Sequence, residues 1–276
     1  MEQPTQLVSS DLNGTLVHRH TMSDMINIYL GPEKFALAEP VFKRQTSGLA
    51  TMEEAFGNAG PLTRGLTLRQ GITYTIEHMK YVDGFHESLD GFHKDNIPFI
   101  INSTGYSITI HAIRAQVGRD KIHGQIGNNL VFGHFADKRQ EVRDDELEEL
   151  IFDYFTRPDQ QQDKIYDEIR ATGEVRLGIE NEDAKAELLV VYAAKHFPHI
   201  PKAKLRHTGD TMGDSGGIAG VARMGGRGYA FNYNEPLKDF LVRTIAAEPE
   251  LADRLYLVDP KGPKSNFMNV SRHIRR

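Results

Sequence analysis

The stretch SSDLNGTLV, residues 9–17, decides how the rest of the chain is read. A short apolar run ends in Asp11, and Gly14 and Thr15 follow at once. An acidic side chain leaving a strand into a glycine turn is how phosphate-handling loops begin. That chemistry asks for a second carboxylate two residues after the first. Asn13 stands there instead.

Working outward, five short segments read as buried strands: 7–11, 98–103, 204–209, 228–233 and 255–259. Amphipathic stretches separate the later ones, which predicts an α/β architecture with a largely parallel sheet. The spacing of Leu188, Val191 and Tyr192 predicts a helix over 184–197, with Asp183 as N-cap and Pro198 at its end. A second helix is expected over 144–157, with an apolar stripe from Leu147 to Phe155 and a solvated acidic face. Residues 22–96 carry helical signals only, among them a Thr51/Glu54 capping box. A single crossover needs far fewer residues than the ~75 of this insert between the first two strands. The excess is expected to form a helical lid over the sheet.

Ligands of open α/β sheets bind beyond the carboxyl ends of the strands. Four polar signals fall there or beside them: Asp11-Leu12-Asn13-Gly14-Thr15, Ser103-Thr104-Gly105, Lys185 at the start of the clear helix, and GDTMGD with Asp210 and Asp214. Each has a plain structural explanation when taken singly. DLNG is a good turn sequence, and Asp210 and Asp214 read equally as loop charges.

Together the four resemble the motifs of haloacid-dehalogenase-superfamily phosphohydrolases, nearest the phosphoserine-phosphatase-like branch with a helical cap. DLNGTLV is similar to the first motif, FIINSTG to the second, NEDAKAELL to the lysine-bearing third and TGDTMGD to the acidic fourth. YAFNYNEPLK resembles the strand and turn that follow. The resemblance implies a Rossmann-like core, residues 1–20 and about 85–276, with an inserted, mostly helical cap at about 21–84. It implies Asp11 as nucleophile, since an aspartyl-phosphate splits hydrolysis into two easier steps. It also implies Mg²⁺ held by Asp11, Asp210 and the backbone carbonyl of Asn13, with Asp214 orienting a metal-bound water or Lys185. Ser103, Thr104 and Gly105 would bind phosphoryl oxygens, and Lys185 would offset the charge on Asp11 and on the transferring group.

Two departures shape the expectation. An amide at position 13 cannot act as general acid or base, which is typically worth about 10²–10⁴-fold. A slow phosphatase is therefore expected, with His18 or His20 as candidate proton carriers. Transfer to another hydroxyl, or silent binding of phosphate and metal, stand as alternatives. Substrate recognition departs too. His20 occupies the position of the family glutamate that holds the substrate ammonium, and Gly57-Asn58-Ala59 lacks the cap arginine that meets the serine carboxylate. Phosphoserine is not the expected substrate, and His18 and His20 are specificity candidates.

The bulk numbers agree. With 39% hydrophobic and 26% charged residues, the 276-residue chain reads as an ordinary soluble protein. A net charge of −5 argues against nucleic acid as partner, and no apolar run reaches the roughly 20 residues of a membrane span. No cysteine and no secretory leader are read, so a cytoplasmic enzyme acting on a small phosphorylated metabolite is expected. The basic tail SRHIRR reads as a solvated end. Residues 135–175 look like an extra insert with an acidic helix, placed to pack on the core, build a homo-oligomer interface or cover the site.

Overall fold

The computed structural model describes residues 3–47, 49–134 and 140–275. Eight strands form the sheet: β1 (Leu7–Ser10), β2 (Phe99–Tyr106), β3 (Gly124–His134), β4 (Glu141–Val142), β5 (Ile169–Arg176), β6 (Leu205–Gly209), β7 (Arg227–Tyr233) and β8 (Leu255–Pro260). Their order is β4-β3-β2-β1-β6-β7-β8, with β5 also paired to β3. The six strands from β3 across to β8 run parallel, while β4 and β5 pair antiparallel to β3. A mainly parallel α/β sheet is what the alternation of strands and amphipathic stretches predicts.

The α-helices in chain order are α1 (Thr21–Met25), α2 (Pro32–Thr46), α3 (Met52–Ala59), α4 (Leu68–Glu77), α5 (Phe85–Lys94) and α6 (Ser107–Val117). They continue with α7 (Asp144–Thr156), α8 (Ile165–Glu168), α9 (Ala184–His196), α10 (Ser215–Arg223), α11 (Glu235–Ala247) and α12 (Phe267–Ile274). The strands of a parallel sheet must be covered on both faces. Phe85, Leu89 and Phe92 of α5, with Phe267 and Val270 of α12, cover Val8, Phe99, Ile101 and Phe231 on one face. Leu189 of α9 and Val221 of α10 pack on Leu7, Ile100 and Leu205 on the other. A separate core joins α1–α4 to α6, α7, the far half of β3, and β5, through residues such as Met25, Leu68, Tyr106, Phe132, Ile151 and Ile169.

Where the chain leaves β1 for α1 and returns from α4, its two passes are bonded together. His18 N–H donates to the Lys80 carbonyl and Val82 N–H to the Leu16 carbonyl, both at 3.0 Å. Thr51 and Glu54 form the expected capping box of α3.

Several expectations need correction. The strand reading omits β3, whose GQIGNNLVFGH breaks the apolar pattern with glycine and asparagine, and it omits β4 and β5. Residues 140–175 therefore supply an antiparallel ribbon as well as the acidic helix α7. Leu147 and Ile151 of α7 are buried in the α1–α4 core. Residues 135–139, the start of that insert, lie outside the described residues. Asp183 is not the side-chain cap of α9, since the Asn181 carboxamide accepts the Ala184 N–H at 3.0 Å. The tail is not a solvated end: residues 267–274 are helical, Ser271 and Ile274 are buried, and Arg275 pairs with Asp95 at 2.5 Å. Among the described residues no helix is long and apolar enough to cross a membrane.

Beneath the carboxyl edge of the sheet, His207 of β6 is completely buried. Its Nδ1 meets Ser9 Oγ of β1 at 2.7 Å, and its Nε2 finds no partner among the described residues. Burial, reinforced by the Lys185 charge, lowers its pKa from 6.5 to about 3. The folded state thus refuses a proton that the unfolded chain accepts below about pH 6.5. Stability from this group is complete above that value and declines as pH falls toward 3, by about 1.4 kcal/mol per pH unit. In urea unfolding between pH 7 and 5, His207→Gln is expected to flatten the pH dependence by nearly one proton. An unchanged slope would remove His207 from the acid response.

Candidate active site

The loop after β1 is bent by backbone hydrogen bonds. Asp11 N–H donates to the Thr208 carbonyl of β6 at 2.8 Å, and Leu16 and Val17 N–H groups both return to the Leu12 carbonyl. Gly14 sits at φ +85°, a left-handed conformation that glycine adopts without strain. A Cβ there would run into the Asp210 carboxylate. Glycine is therefore what lets the β1 loop and the β6 loop close on each other.

Asp11, Asp210 and Asp214 are all buried, and one carboxylate oxygen of each lies within 4.8 Å of the others. Lys185, in the first turn of α9 and also buried, reaches between two of them. Its Nζ donates to Asp11 Oδ1 at 3.0 Å and to Asp214 Oδ1. α9 can bring the lysine this close because α10 opens with small residues. A Cβ on Gly217 would stand 3.1 Å from the Lys185 Cβ and 2.7 Å from the His207 ring. The Asn102 carboxamide of β2 fixes the helix from the other side by donating to the Lys185 carbonyl at 3.0 Å.

The charges do not balance. Burial alone would depress the Lys185 pKa, but Asp11 and Asp214 outweigh it and hold the ammonium above its usual range. Asp11 is pushed up to about 6 by burial and by Asp214, against the pull of Lys185 and a hydrogen bond from Ser103. Asp210 is likewise raised well above its usual range by burial, Asp214 and Asp11, and its side chain accepts the Thr15 hydroxyl at 3.2 Å. Asp214 has both oxygens engaged, one by Lys185 and the other by the N–H groups of Asp210 and Thr211 at 3.0 and 3.3 Å. Three buried carboxylates with one ammonium form an all-oxygen site short of positive charge, the donor set that suits a hard divalent cation.

The other expected residues gather at the same edge. Ser103 is buried, and its hydroxyl accepts the Gly105 N–H at 3.0 Å. Thr104 lines the cavity beside Asp11 and Asn13. The Asn13 Oδ1 accepts the Thr21 N–H at 2.9 Å, so this amide ties the Asp11 loop to the start of α1. His18 and His20 both reach the cavity wall. His20 stacks on Phe42, with centroids 4.3 Å apart, and its Nδ1 accepts the Ser23 N–H. Burial lowers its pKa to about 4, so its imidazole is neutral.

The cavity holds about 280 Å³, and Arg19, Thr211, Asn234 and Lys261, which the sequence reading missed, also line it. Lys261 and Asn234 follow β8 and β7, so the strand-end rule applied to the first strands would have found them.

Solved structures match this arrangement along nearly the whole chain. A phospho-aspartyl intermediate analogue of phosphoserine phosphatase covers 98% of this chain and 99% of its own, with a TM-score of 0.65 at 16% identity. The chain has the fold of that phosphoserine phosphatase structure. A haloacid dehalogenase family hydrolase from Salmonella enterica serovar Typhi is similar over 86% of this chain and 66% of its own, with a TM-score of 0.61 at 15% identity. A phosphoserine phosphohydrolase-like protein from Francisella tularensis covers 98% and 99%, with a TM-score of 0.55 at 11% identity. No family model and no curated protein matches the sequence.

Among the described residues, Lys185 is the one cation bonded into the buried acidic group. Removing one partner from a buried charge cluster costs about 3–5 kcal/mol, because the remaining charges stay desolvated. Lys185→Met is expected to lose stability in that range at pH 7 in metal-free buffer. Without the ammonium, the folded carboxylates titrate above their unfolded values. The deficit should therefore shrink as pH falls through those raised values. A loss below about 1 kcal/mol in denaturant titration would contradict the desolvation argument.

Proposed function

We propose that the chain is a Mg²⁺-dependent phosphatase of a small phosphate monoester, working through a phosphoryl group carried on Asp11. The observation that carries this reading is the convergence of Asp11, Asp210 and Asp214 around Lys185 at the carboxyl edge of the sheet. In this reading residues 1–20 and about 85–276 are the catalytic core and 21–84 the helical cap, supported by the paired chain passes at 16–18 and 80–82.

Asp11, Asp210 and the Asn13 carbonyl would hold the Mg²⁺, which when bound screens the carboxylates from phosphate and draws charge from the phosphoryl oxygens. Asp11 Oδ attacks phosphorus, the ester P–O bond breaks, and the leaving alkoxide takes a proton from solvent water. Water then attacks the phosphoryl group on Asp11, releasing phosphate and restoring the carboxylate. Lys185 holds Asp11 ionised and oriented for the first step and offsets charge that builds on the transferring oxygens. Ser103, Thr104 and Gly105, at the irregular stretch of β2 between Asn102 and Tyr106, would offer hydroxyl and backbone N–H groups to those oxygens.

Asn13 sets the pace. It keeps the Thr21 bond but supplies no proton to the leaving group and takes none from water. His20 is neutral above pH 4 and is no acid for the leaving oxygen at neutral pH, though it can accept a proton in the second step. The phosphoryl group therefore persists on Asp11, which favours slow hydrolysis or transfer to another hydroxyl.

The deciding experiment is rapid-quench kinetics on an aryl phosphate at saturating Mg²⁺. A burst followed by slow turnover is expected, abolished in Asp11→Asn. Asn13→Asp should raise the steady-state rate by up to about 10²–10⁴-fold, chiefly by speeding dephosphorylation. An Asp retains the acceptor for Thr21 N–H, so the gain is not masked by a lost anchor. No burst, and no gain from the aspartate, would contradict the proposed rate limit. In a separate calorimetric titration, Asp210→Ala should weaken Mg²⁺ binding; unchanged affinity would remove Asp210 from the metal site.

A further inference from the structure

Phosphate and metal chemistry account for Asp11, Asp210, Asp214 and Lys185, but not for two further cations on the cavity wall. Lys261 lies on the loop after β8, and Arg19 on the loop between β1 and α1. The Lys261 ammonium makes no ion pair among the described residues, although it acts on Asp210 through space. Arg19 has a single carboxylate partner, Asp24, through one nitrogen at 3.3 Å. That exposed pair holds the guanidinium only weakly.

The loop that presents Lys261 is built in place. Asn232 of β7 is buried and left-handed at φ +52°, a conformation asparagine tolerates better than most residues. Its Nδ2 donates to the Gly14 carbonyl at 2.6 Å, and its Oδ1 accepts Ser265 Oγ at 3.1 Å and Gly262 N–H at 3.4 Å. The next two residues continue the link. Tyr233 accepts the Lys261 N–H at 3.0 Å, and Asn234 donates to the Asp210 carbonyl at 3.1 Å. One asparagine thus ties the Lys261 loop to the Asp11 loop and the strand end beside Asp210. Arg19 is placed from the opposite part of the chain, because Asp24 also accepts the Tyr74 hydroxyl at 3.2 Å.

Among the described residues, the wall offers no carboxylate to a further positive charge beyond those of the buried acidic group. The carboxylates lining this cavity are Asp11, Asp210 and Asp214, which serve Lys185 and the proposed metal. His20 is neutral and stacked on Phe42. A cavity of about 280 Å³ lies at the small end of ligand sites, so substrate atoms beyond the phosphoryl group stay close to these cations.

Resting on the phosphatase reading, we infer that Lys261 and Arg19 form a subsite for a second anionic group. The substrate class is then a small phosphate monoester that bears a carboxylate or a further phosphate and no amine. Lys261 and Arg19 are specificity-determining residues, and Asn232 positions the first of them.

The test compares three esters of similar size: ethyl phosphate, 2-phosphoglycolate and O-phosphoethanolamine. With the wild-type protein in Mg²⁺, kcat/KM for phosphoglycolate should exceed that for ethyl phosphate at least tenfold, and phosphoethanolamine should be the poorest. Lys261→Ala should cut the phosphoglycolate-to-ethyl-phosphate ratio at least fivefold, Arg19→Ala should lower it too, and Lys261→Arg should retain it. Calorimetric binding of the same esters to Asp11→Asn protein, and to Asp11→Asn carrying Lys261→Ala, gives the ratio again without turnover. Failure of every ester to turn over, aryl phosphate included, would overturn the phosphatase reading, while the binding ratio would still decide the subsite. Equal affinity for ethyl phosphate and phosphoglycolate, a ratio indifferent to Lys261→Ala, or preference for phosphoethanolamine would overturn the inference.

Discussion

One buried ammonium organises this molecule. Lys185 is inserted between Asp11 and Asp214, and three separate parts of the chain exist in their observed form to let it arrive. β1 delivers Asp11, the β6 loop delivers Asp214, and α9 carries the lysine in its first turn, where a helix dipole disfavours a cation. Small residues at Gly216 and Gly217 let α10 press against that turn. A buried ion cluster of this kind is weak evidence for stability, since well-packed apolar residues often do as well. Its retention at the sheet edge, with a surplus of negative charge beside it, is better explained by chemistry than by folding.

The surplus also explains why the surrounding loops are tied so tightly. Asp210 can face two other carboxylates only if its loop cannot relax outward. Thr15 holds its side chain, Asp214 holds its N–H, and Asn234 holds its carbonyl. Asn232 then fastens the Gly14 carbonyl to the Lys261–Ser265 loop. The Asn13 amide extends the same network to α1, so the Asp11 loop and the helical segment beyond it are mechanically continuous. A shift of that segment would be felt at position 13 before any other residue of the loop.

How much of this was legible from sequence follows from which signals are local. β1, β2, β6, β7 and β8 are short runs dominated by apolar or small residues between turns, and Asp11 and Asp210 directly follow β1 and β6 as the strand-end rule requires, while β2 runs on past Ser103 to Tyr106. β3 was hidden because Gly127, Asn128 and Asn129 break both the apolar run and the alternation. Its far half is also defined by antiparallel pairing with β5, some forty residues away. Asp183 looked like a cap because it precedes the apolar run; the acceptor is two residues earlier, a difference that only backbone geometry distinguishes. The tail looked solvated from its charge, yet the spacing of Phe267, Val270, Ser271 and Ile274 is that of a helix face buried on α5. Lys261 and Arg19 carry no motif at all. Lys261 directly follows β8 and lay within reach of the strand-end rule, whereas Arg19 matters through where Asp24 sits, which neighbouring letters do not show.

The amide at position 13 takes on a different meaning in this electrostatic setting. A carboxylate there would place a fourth negative charge beside a group in which Asp11 and Asp210 already hold their protons more tightly than free carboxylates do. The amide avoids that repulsion and keeps its oxygen on Thr21 N–H, leaving its NH₂ close to the Gly105 turn. On the proposed reading, the substitution therefore exchanges a proton carrier for a more favourable field around a doubly charged phosphoryl group. Lys261 and Arg19 act in the same direction, since both favour anionic ligands in the ground state. Ground-state affinity gained without matching stabilisation of the later proton transfer slows turnover and lowers KM together.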